Sequence, residues 1–193
     1  MAEKDIQLIK LAQRGDYKAF ESLVQKYDRQ VLNIAYSFRN NEDDAKDIYQ
    51  EVFIRVFNGL KNFQFRSEFS TWLFRITTNV CLTYKTKKEK TAIDSLDRTV
   101  SNDDDNSTSL GDLIETDDSS DSLAENSDMA RYINQGLDRL PPKQKLVFTL
   151  KHFQGYKIKE IAQMMNCNDG TIKRYLFNAT GKMRDYLKKF VEL

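Results

Sequence analysis

The 193-residue chain has few of the residue types on which catalysis, metal binding and disulfide bonding depend. Its one histidine, His152, lies between Lys151 and Phe153 with no nucleophile motif nearby. Its two cysteines, Cys81 and Cys167, lack the paired spacing of zinc ligands or of a disulfide framework. No Walker loop and no glycine-rich dinucleotide turn occur. We therefore expect a protein that is not an enzyme, with no cofactor, no metal site and no small-molecule substrate.

Long apolar runs are also absent from the sequence. No stretch of 18 apolar residues occurs, and residues 1–10 alternate charged residues with Ile and Leu, unlike the apolar centre of a signal peptide. Cysteines without a disulfide pattern are typical of a reducing compartment. We expect a cytoplasmic protein that does not insert into a membrane.

Charge divides the chain into three unlike segments. Residues 1–93 carry 16 Lys and Arg against 12 Asp and Glu, residues 94–128 carry 1 against 12, and residues 129–193 carry 13 against 5. The middle segment is rich in Asp, Ser and Asn and has little apolar content with which to offset chain entropy. It is predicted to be a flexible linker, with a long surface loop as the alternative. Two basic domains joined by an acidic tether are typical of a protein that binds a polyanion.

Helical periodicity dominates the first segment. One helix is predicted after a cap at Asp16, a second after Asn41 with acidic residues at its start and an end at Gly59, and a third over about residues 70–88. No segment shows sustained strand alternation. The fold class is predicted to be all-α, with two small helical domains.

The third segment has the spacing of a helix-turn-helix. A helix ends near Leu140 before a proline pair, and another covers residues 143–153. Residues 158–165 then form a short helix, residues 166–168 a turn, and Asp169 caps a last helix. In such a unit the second helix enters the major groove, and its outward residues include Thr171, Lys173 and Arg174. Arg174 could read a guanine edge and Lys173 could neutralise a phosphate. A four-helix bundle with a solvated basic face is the alternative.

Two further features of the first segment indicate partners. Residues 61–75 interleave aromatic with basic and hydroxyl side chains, a mixture that suits unstacked bases. Taken alone, Phe69 and Trp72 at helical spacing are more typical of core residues than of a stacking platform. Arg75 and Asn79, four residues apart, would share a helix face and could hold a strand. The helix over residues 44–57 is apolar over much of its girth and could offer another face to a partner helix. A central helix of a bundle with ordinary solvated charges is the alternative, and the pattern favours neither.

Together these motifs resemble a known family. They are residues 44–57 (DAKDIYQEVFIRVF), 69–79 (FSTWLFRITTN), 140–144 (LPPKQ), Ile161-Ala162 and 170–173 (GTIK). In this order and at these separations they resemble an extracytoplasmic-function (ECF) sigma factor of the sigma-70 family. The resemblance implies a subunit that binds bacterial RNA polymerase core and directs it to promoter DNA. It implies sigma region 2 over residues 1–93 and sigma region 4 over residues 129–193, with an anti-sigma factor as a further partner.

The resemblance also implies site residues. Those matching the polymerase-binding surface are Asp47, Gln50, Glu51, Phe53 and Arg55. Those matching the region that captures a base flipped from the minus-ten element are Lys61, Asn62, Phe63, Arg66, Ser67, Phe69, Ser70, Thr71, Trp72, Arg75 and Asn79. Those matching the reader of the minus-thirty-five duplex are Asp169, Gly170, Thr171, Lys173, Arg174 and Asn178.

The last helix departs from the family pattern. Arg174 and Tyr175 stand where a small residue and an arginine are common, and Asn178 and Thr180 occupy positions that are often arginine. Fewer phosphate partners predict weaker duplex binding and a shallower salt dependence. Two other functions remain open from the residues alone. One is a helix-turn-helix regulator whose first domain senses a signal or dimerises, and the other is an interaction protein whose basic tail binds an acidic protein.

Overall fold

A computed structural model describes residues 3–95 and 120–191, with side chains within 5–84 and 128–190. The described residues form helices and connecting loops, with no β-strand among them. The helices are α1 (Glu3–Gln13), α2 (Tyr17–Arg39), α3 (Glu42–Leu60), α4 (Phe69–Ser95), α5 (Ser120–Asp138), α6 (Pro142–His152), α7 (Ile158–Met164) and α8 (Asp169–Val191). The predicted all-α fold class is confirmed.

Helix starts in the first domain follow from side-chain caps. The Asp16 carboxylate accepts hydrogen bonds from the backbone N–H groups of Lys18 and Ala19 at 2.9 and 3.1 Å. The Asn41 side chain accepts from the N–H of Asp44 at 2.8 Å, and the first turn of α3 is acidic. These contacts satisfy N–H groups that a helix start leaves without partners, so the predicted starts at these positions are confirmed.

Helix α1 was not predicted. Its Ile9 is fully buried, and its Asp5 carboxylate, 4 % exposed, accepts hydrogen bonds from Lys26 and, at 2.8 Å, from the Tyr27 hydroxyl of α2. Burial and the Asp5 carboxylate raise the pKa of Tyr27. Helix α1 therefore packs on the bundle through the buried Ile9, the partly buried Leu8 and Ala12, and one buried polar contact.

The predicted linker, residues 94–128, is helical at both ends, since α4 continues to Ser95 and α5 begins at Ser120. Residues 96–119 lie outside the described residues. The expected flexibility of that segment therefore stays a prediction.

The two helical domains contact each other. Helix α4 packs against α7 and α6, and α2 packs against α6. Buried residues of the second domain, including Leu146, Leu150 and Ile161, join one hydrophobic cluster with Ile34 and Phe38 of the first. The sequence gives no sign of this contact, because the apolar residues that make it fit the ordinary inward stripe of each helix.

Candidate nucleic-acid interface

The loop between α3 and α4, residues 61–68, is held by an aromatic cluster. The ring of Phe63 lies 5.1 Å from that of Phe65, 5.8 Å from that of Phe69 and 5.1 Å from that of Trp72, measured between centroids. A Cβ on Gly59 would lie 3.2 Å from the Trp72 ring, so glycine at this position leaves room for that ring. Helix α3 continues to Leu60, and the expected end at Gly59 is thus one residue early.

A side chain from α1 fixes the same loop. The Gln13 amide nitrogen donates hydrogen bonds to the backbone oxygens of Leu60 at 3.0 Å and Phe63 at 2.9 Å. Phe65 lies in the left-handed region with φ 57°, where a non-glycine residue is uncommon. The loop therefore has a defined shape that depends on contacts outside it.

The structure divides the predicted minus-ten residues by exposure. Phe63 and Phe69 are 7 % and 1 % exposed, so their rings belong to the core, and a ring this buried offers no free face to a base. The half-buried residues are Ser70, Thr71, Trp72 and Arg75, and the exposed ones are Lys61, Asn62, Arg66, Ser67 and Asn79. The polar members are the ones available to nucleic acid.

The predicted polymerase-binding residues lie along the outer side of α3. Asp47, Gln50 and Arg55 are exposed, and Glu51 and Phe53 are half-buried. Glu51 accepts a hydrogen bond from Arg55 at 2.7 Å. Asp47 accepts a hydrogen bond from the Tyr84 hydroxyl at 3.0 Å, and burial together with this contact and the neighbouring Asp44 raises the pKa of Tyr84.

Apolar side chains that were not predicted as site residues border this surface. Ile54 is 55 % exposed, Phe57 is 46 % exposed, and the Phe57 ring stacks at 6.2 Å on Tyr17, which is itself 74 % exposed. The apolar residues of α3 were expected to cover more than one face of the helix, and the structure leaves Phe57 on the outer one. An exposed apolar group beside charged residues is typical of a protein-binding surface.

Helices α7 and α8 form the predicted helix-turn-helix. Asn166 in the turn has φ 50°, and the Cys167 N–H donates to the Ala162 oxygen at 3.0 Å. The cap of α8 was predicted as Asp169, which is wrong. The Asn168 side chain accepts from the N–H and hydroxyl of Thr171, at 2.8 and 3.0 Å, because Asn168 is the residue just outside the helix start.

The outward side of α8 is basic. Ile172, Ala179 and Met183 are buried, while Lys173 and Arg174 are exposed on the other side. Of the remaining predicted duplex-binding residues, Gly170 and Asn178 are exposed, and Asp169 and Thr171 are half-buried. The six predicted positions thus lie along the first three turns of one helix.

The candidate surfaces of the two domains meet at the contact between α4 and α7. The Arg75 guanidinium donates to the Gln163 backbone oxygen at 3.3 and 3.4 Å, and the buried Thr78 hydroxyl donates to the Met164 oxygen at 2.9 Å. The Gln154 amide donates to the Ser37 hydroxyl at 2.8 Å. Arg75, a predicted strand contact, is therefore engaged by the other domain in this arrangement.

Within the described ranges, no group of three or more His, Cys, Asp or Glu side chains is placed to hold a metal ion. None of the helices in those same ranges is long and apolar enough to cross a membrane.

Comparison with known proteins assigns both domains. Residues 23–91 match the family model of Sigma-70 region 2, and residues 130–183 match that of Sigma-70, region 4. The chain is 32% identical over 178 residues to the RNA polymerase sigma-H factor of Pseudomonas aeruginosa, covering 92% of this chain and 90% of that protein. It is 31% identical over 185 residues to the ECF RNA polymerase sigma-E factor of Haemophilus influenzae, covering 93% and 94%.

Solved structures share the fold. CnrH, determined with the cytosolic domain of CnrY, superposes with a TM-score of 0.64 at 19% identity, covering 97% of this chain and 99% of that one. The sigma factor RpoE of Bartonella quintana, determined with the anti-sigma factor NepR, gives 0.62 at 19% identity, covering 89% and 98%. Both family models match in order, and relatives above 30% identity span nearly the whole chain. The chain therefore belongs to the extracytoplasmic-function group of the sigma-70 family of RNA polymerase sigma factors.

Proposed function

We propose that this sigma factor binds RNA polymerase core through the outer side of α3 and directs it to promoters through two separate DNA contacts. The observation that carries the proposal is the presence, on one chain, of a region 2 domain with an exposed polar loop and a region 4 domain with a basic helix-turn-helix. Its action is initiation rather than catalysis, and its place of action is the cytoplasm, with the polymerase.

In the first domain, the exposed loop side chains Lys61, Asn62 and Arg66 are proposed to contact the separated strand of the minus-ten element. Phe63 and Phe69 support that loop from the core. Flipping a base costs a few kcal/mol, which polar contacts to its edges and the stacking face of the half-buried Trp72 would offset.

In the second domain, the N-terminal half of α8 is proposed to enter the major groove of the minus-thirty-five element. The Arg174 guanidinium can bond a guanine edge in bidentate fashion, and Lys173 can neutralise a phosphate. The exposed side of α8 carries the charge that a duplex requires.

The deciding experiment is multi-round transcription with purified bacterial core polymerase and a random promoter library, with and without the protein. Transcripts that depend on the protein support the proposal, and their aligned upstream sequences give the two elements. If the protein binds duplex DNA alone but yields no new transcript, a helix-turn-helix regulator becomes the better account.

Core binding is tested separately by Glu51→Arg, which reverses charge in the middle of the proposed surface. We expect affinity for core to fall by about tenfold or more, on the order of 1.4 kcal/mol. Glu42→Arg is the matched control, because Glu42 is exposed and nine residues away, on the opposite side of α3. Undiminished co-elution of the Glu51 variant with core would contradict this surface.

The exposed apolar residues beside the α3 surface, Tyr17, Ile54 and Phe57, suggest how binding to core polymerase is inhibited. A regulatory protein of the anti-sigma class that covers them would compete with core for the same surface. Competition between core and that protein, measured in solution, is the expected signature.

A further inference from the structure

The side-chain amide of Gln13 joins two backbone oxygens that lie on either side of Lys61 and Asn62. Its nitrogen carries two hydrogens and donates to the oxygens of Leu60 at 3.0 Å and Phe63 at 2.9 Å. Lys61 and Asn62, between these two residues, are both exposed. Gln13 therefore clamps the two ends of a short segment whose side chains are proposed to contact the separated strand.

The end of helix α1 fixes the position of Gln13, which is the last residue of that helix. Gly15 has φ 96°, a left-handed conformation that glycine adopts at low cost, and its N–H donates to the Ala12 oxygen at 3.0 Å. The N–H of Asp16 donates to the Leu11 oxygen at 3.1 Å and completes the turn. The Gln13 amide is thus presented to the loop from a firmly terminated helix.

The other hydrogen bonds of this segment are local. The N–H of Asn62 donates to the Gly59 oxygen at 3.0 Å, and the N–H of Phe63 donates to the Leu60 oxygen at 3.0 Å. Each of these bonds joins residues three apart, so it shapes a turn without fixing how the turn lies on the bundle. The Gln13 bonds span 47 and 50 residues of sequence and tie the turn to a separate helix.

Discrimination between bases depends on donors and acceptors that are in place before the strand binds. A loop that samples other shapes must be ordered on binding, and its apparent affinity falls by the fraction of molecules that lack the competent shape. Hydrogen bonds to base edges require defined distances and angles, whereas attraction to phosphates is independent of sequence. Loss of the clamp should therefore weaken the preference for one base over another more than it weakens attachment to DNA.

We propose that Gln13 is a positioning residue for the minus-ten contact, whose amide orients Lys61 and Asn62 so that bases of the separated strand are discriminated. This inference rests on the proposed function, because it requires the α3–α4 loop at that strand. It assigns part of the promoter preference to a residue of α1 that acts through the loop rather than on a base.

The test uses holoenzyme, assembled from core polymerase and the full chain, on a promoter from the library whose minus-ten element is kept unpaired by mismatches. Each base of the non-template strand in this element is replaced in turn, and affinity is measured by competition. Methionine resembles glutamine in shape but has no donor. We expect Gln13→Met to lower the preference for the preferred base about fivefold at one or two positions, the value of one net hydrogen bond. Affinity for a duplex with only the upstream element should stay at the wild-type value.

Three more variants separate the hydrogen bonds from the bulk of the side chain. Gln13→Glu keeps the size of glutamine but turns oxygens towards the two backbone oxygens, so it should lose at least as much preference as Gln13→Met. Gln13→Lys restores a donor and should recover most of the preference, while its charge raises affinity for every DNA alike and cancels in the ratio. Gln7→Met is the matched control, because Gln7 is an exposed residue of the same helix, and it should discriminate as the wild type does.

The outcomes distinguish this inference from the proposed function. A Gln13→Met holoenzyme with the full base preference overturns the inference, and so does one that loses affinity equally for every base. Failure of Gln13→Lys to recover the preference also overturns it, because the donor would then not matter. Thermal melting checks that each variant is folded at the assay temperature, and if Gln13→Met is not, the comparison of Gln13→Glu with Gln13→Lys decides. The proposed function itself fails only if the wild-type protein yields no new transcript.

Discussion

The hydroxyl of Thr78 is predicted to control how tightly the two domains close on each other. The minus-ten and minus-thirty-five elements are separated by about 25 base pairs, or ~85 Å at 3.4 Å per pair. Domains joined by a 2.9 Å hydrogen bond from Thr78 to Met164 cannot contact both elements at once. We call the arrangement with this contact closed. Under the proposed function, the closed arrangement must open before the two domains can bind their promoter elements together.

Thr78→Val should favour the open arrangement. Valine has nearly the same shape but cannot donate, so the Met164 oxygen loses the Thr78 donor in a site from which water is excluded, since Thr78 is fully buried. The Thr78 hydroxyl has one proton and also lies 3.0 Å from the Arg75 oxygen of its own helix. Losing the shared bond to Met164 therefore costs about 1 kcal/mol, and only the closed arrangement bears that cost. The ratio of open to closed molecules should rise about fivefold.

The assay is single-molecule energy transfer between dyes on cysteines introduced at the exposed positions Gln25 and Lys188, with Cys167→Ser to direct labelling. Thr77→Val is the matched control. Thr77 is equally buried, but its hydroxyl donates at 3.0 Å to Leu73 of the same helix, so its loss does not favour opening. An unchanged ratio for Thr78→Val, or an equal change for Thr77→Val, would refute the reasoning.

Three further predictions concern stability and reactivity. The fully buried Thr149 hydroxyl finds no hydrogen-bond partner among the described residues, so Thr149→Val should raise the free energy of unfolding by about 1–3 kcal/mol in urea denaturation. Asp44→Ala should lower the free energy of unfolding by about 3 kcal/mol, because the buried carboxylate accepts hydrogen bonds from Arg39 at 2.8 Å and from Tyr84 at 3.1 Å. A loss under ~1 kcal/mol would contradict this. Burial raises the pKa of the Cys81 thiol to about 12 from an ordinary value near 9. As the pH rises, the thiol therefore ionises in the unfolded chain before it ionises in the folded one. The contribution of the buried neutral thiol to the free energy of unfolding is complete below pH 9 and falls as the pH rises towards 12. A thiol reagent at pH 8 should modify Cys167 in the folded chain and Cys81 only after unfolding.

Helix starts and the turn of the helix-turn-helix could be predicted, because residues close to them in sequence determine them. Caps at Asp16 and Asn41 follow from short polar side chains before an apolar repeat, and the helix-turn-helix follows from the short break between two such repeats. The cap of α8 was misplaced by one residue because Asn168 and Asp169 are both good caps, and only the backbone geometry distinguishes them. Helix α1 was missed because its buried contact is polar and its apolar stripe is weak.

Features that depend on tertiary contacts could not be predicted. Periodicity could not decide which apolar residues of α3 face outward, and the structure leaves Phe57 stacked on Tyr17 at the surface. Thr78 looks like an ordinary helix residue until α7 brings a carbonyl against it. The predicted site residues of α8 lie together because one helix carries them, while Phe63 and Phe69 belong to the core because the rings of the loop pack on one another.

The contact of Gln13 with the α3–α4 loop has a consequence for exchanging specificity between relatives. Because the Gln13 amide binds the oxygens of Leu60 and Phe63, the loop's shape is encoded partly in a helix about 50 residues before it. Residue 13 also precedes the span matched by the region 2 family model, which starts at residue 23. A loop grafted from this chain into a relative would keep its own shape only if the recipient provides an equivalent amide. Transplanting α1 and the loop together should transfer promoter preference more completely than transplanting the loop alone.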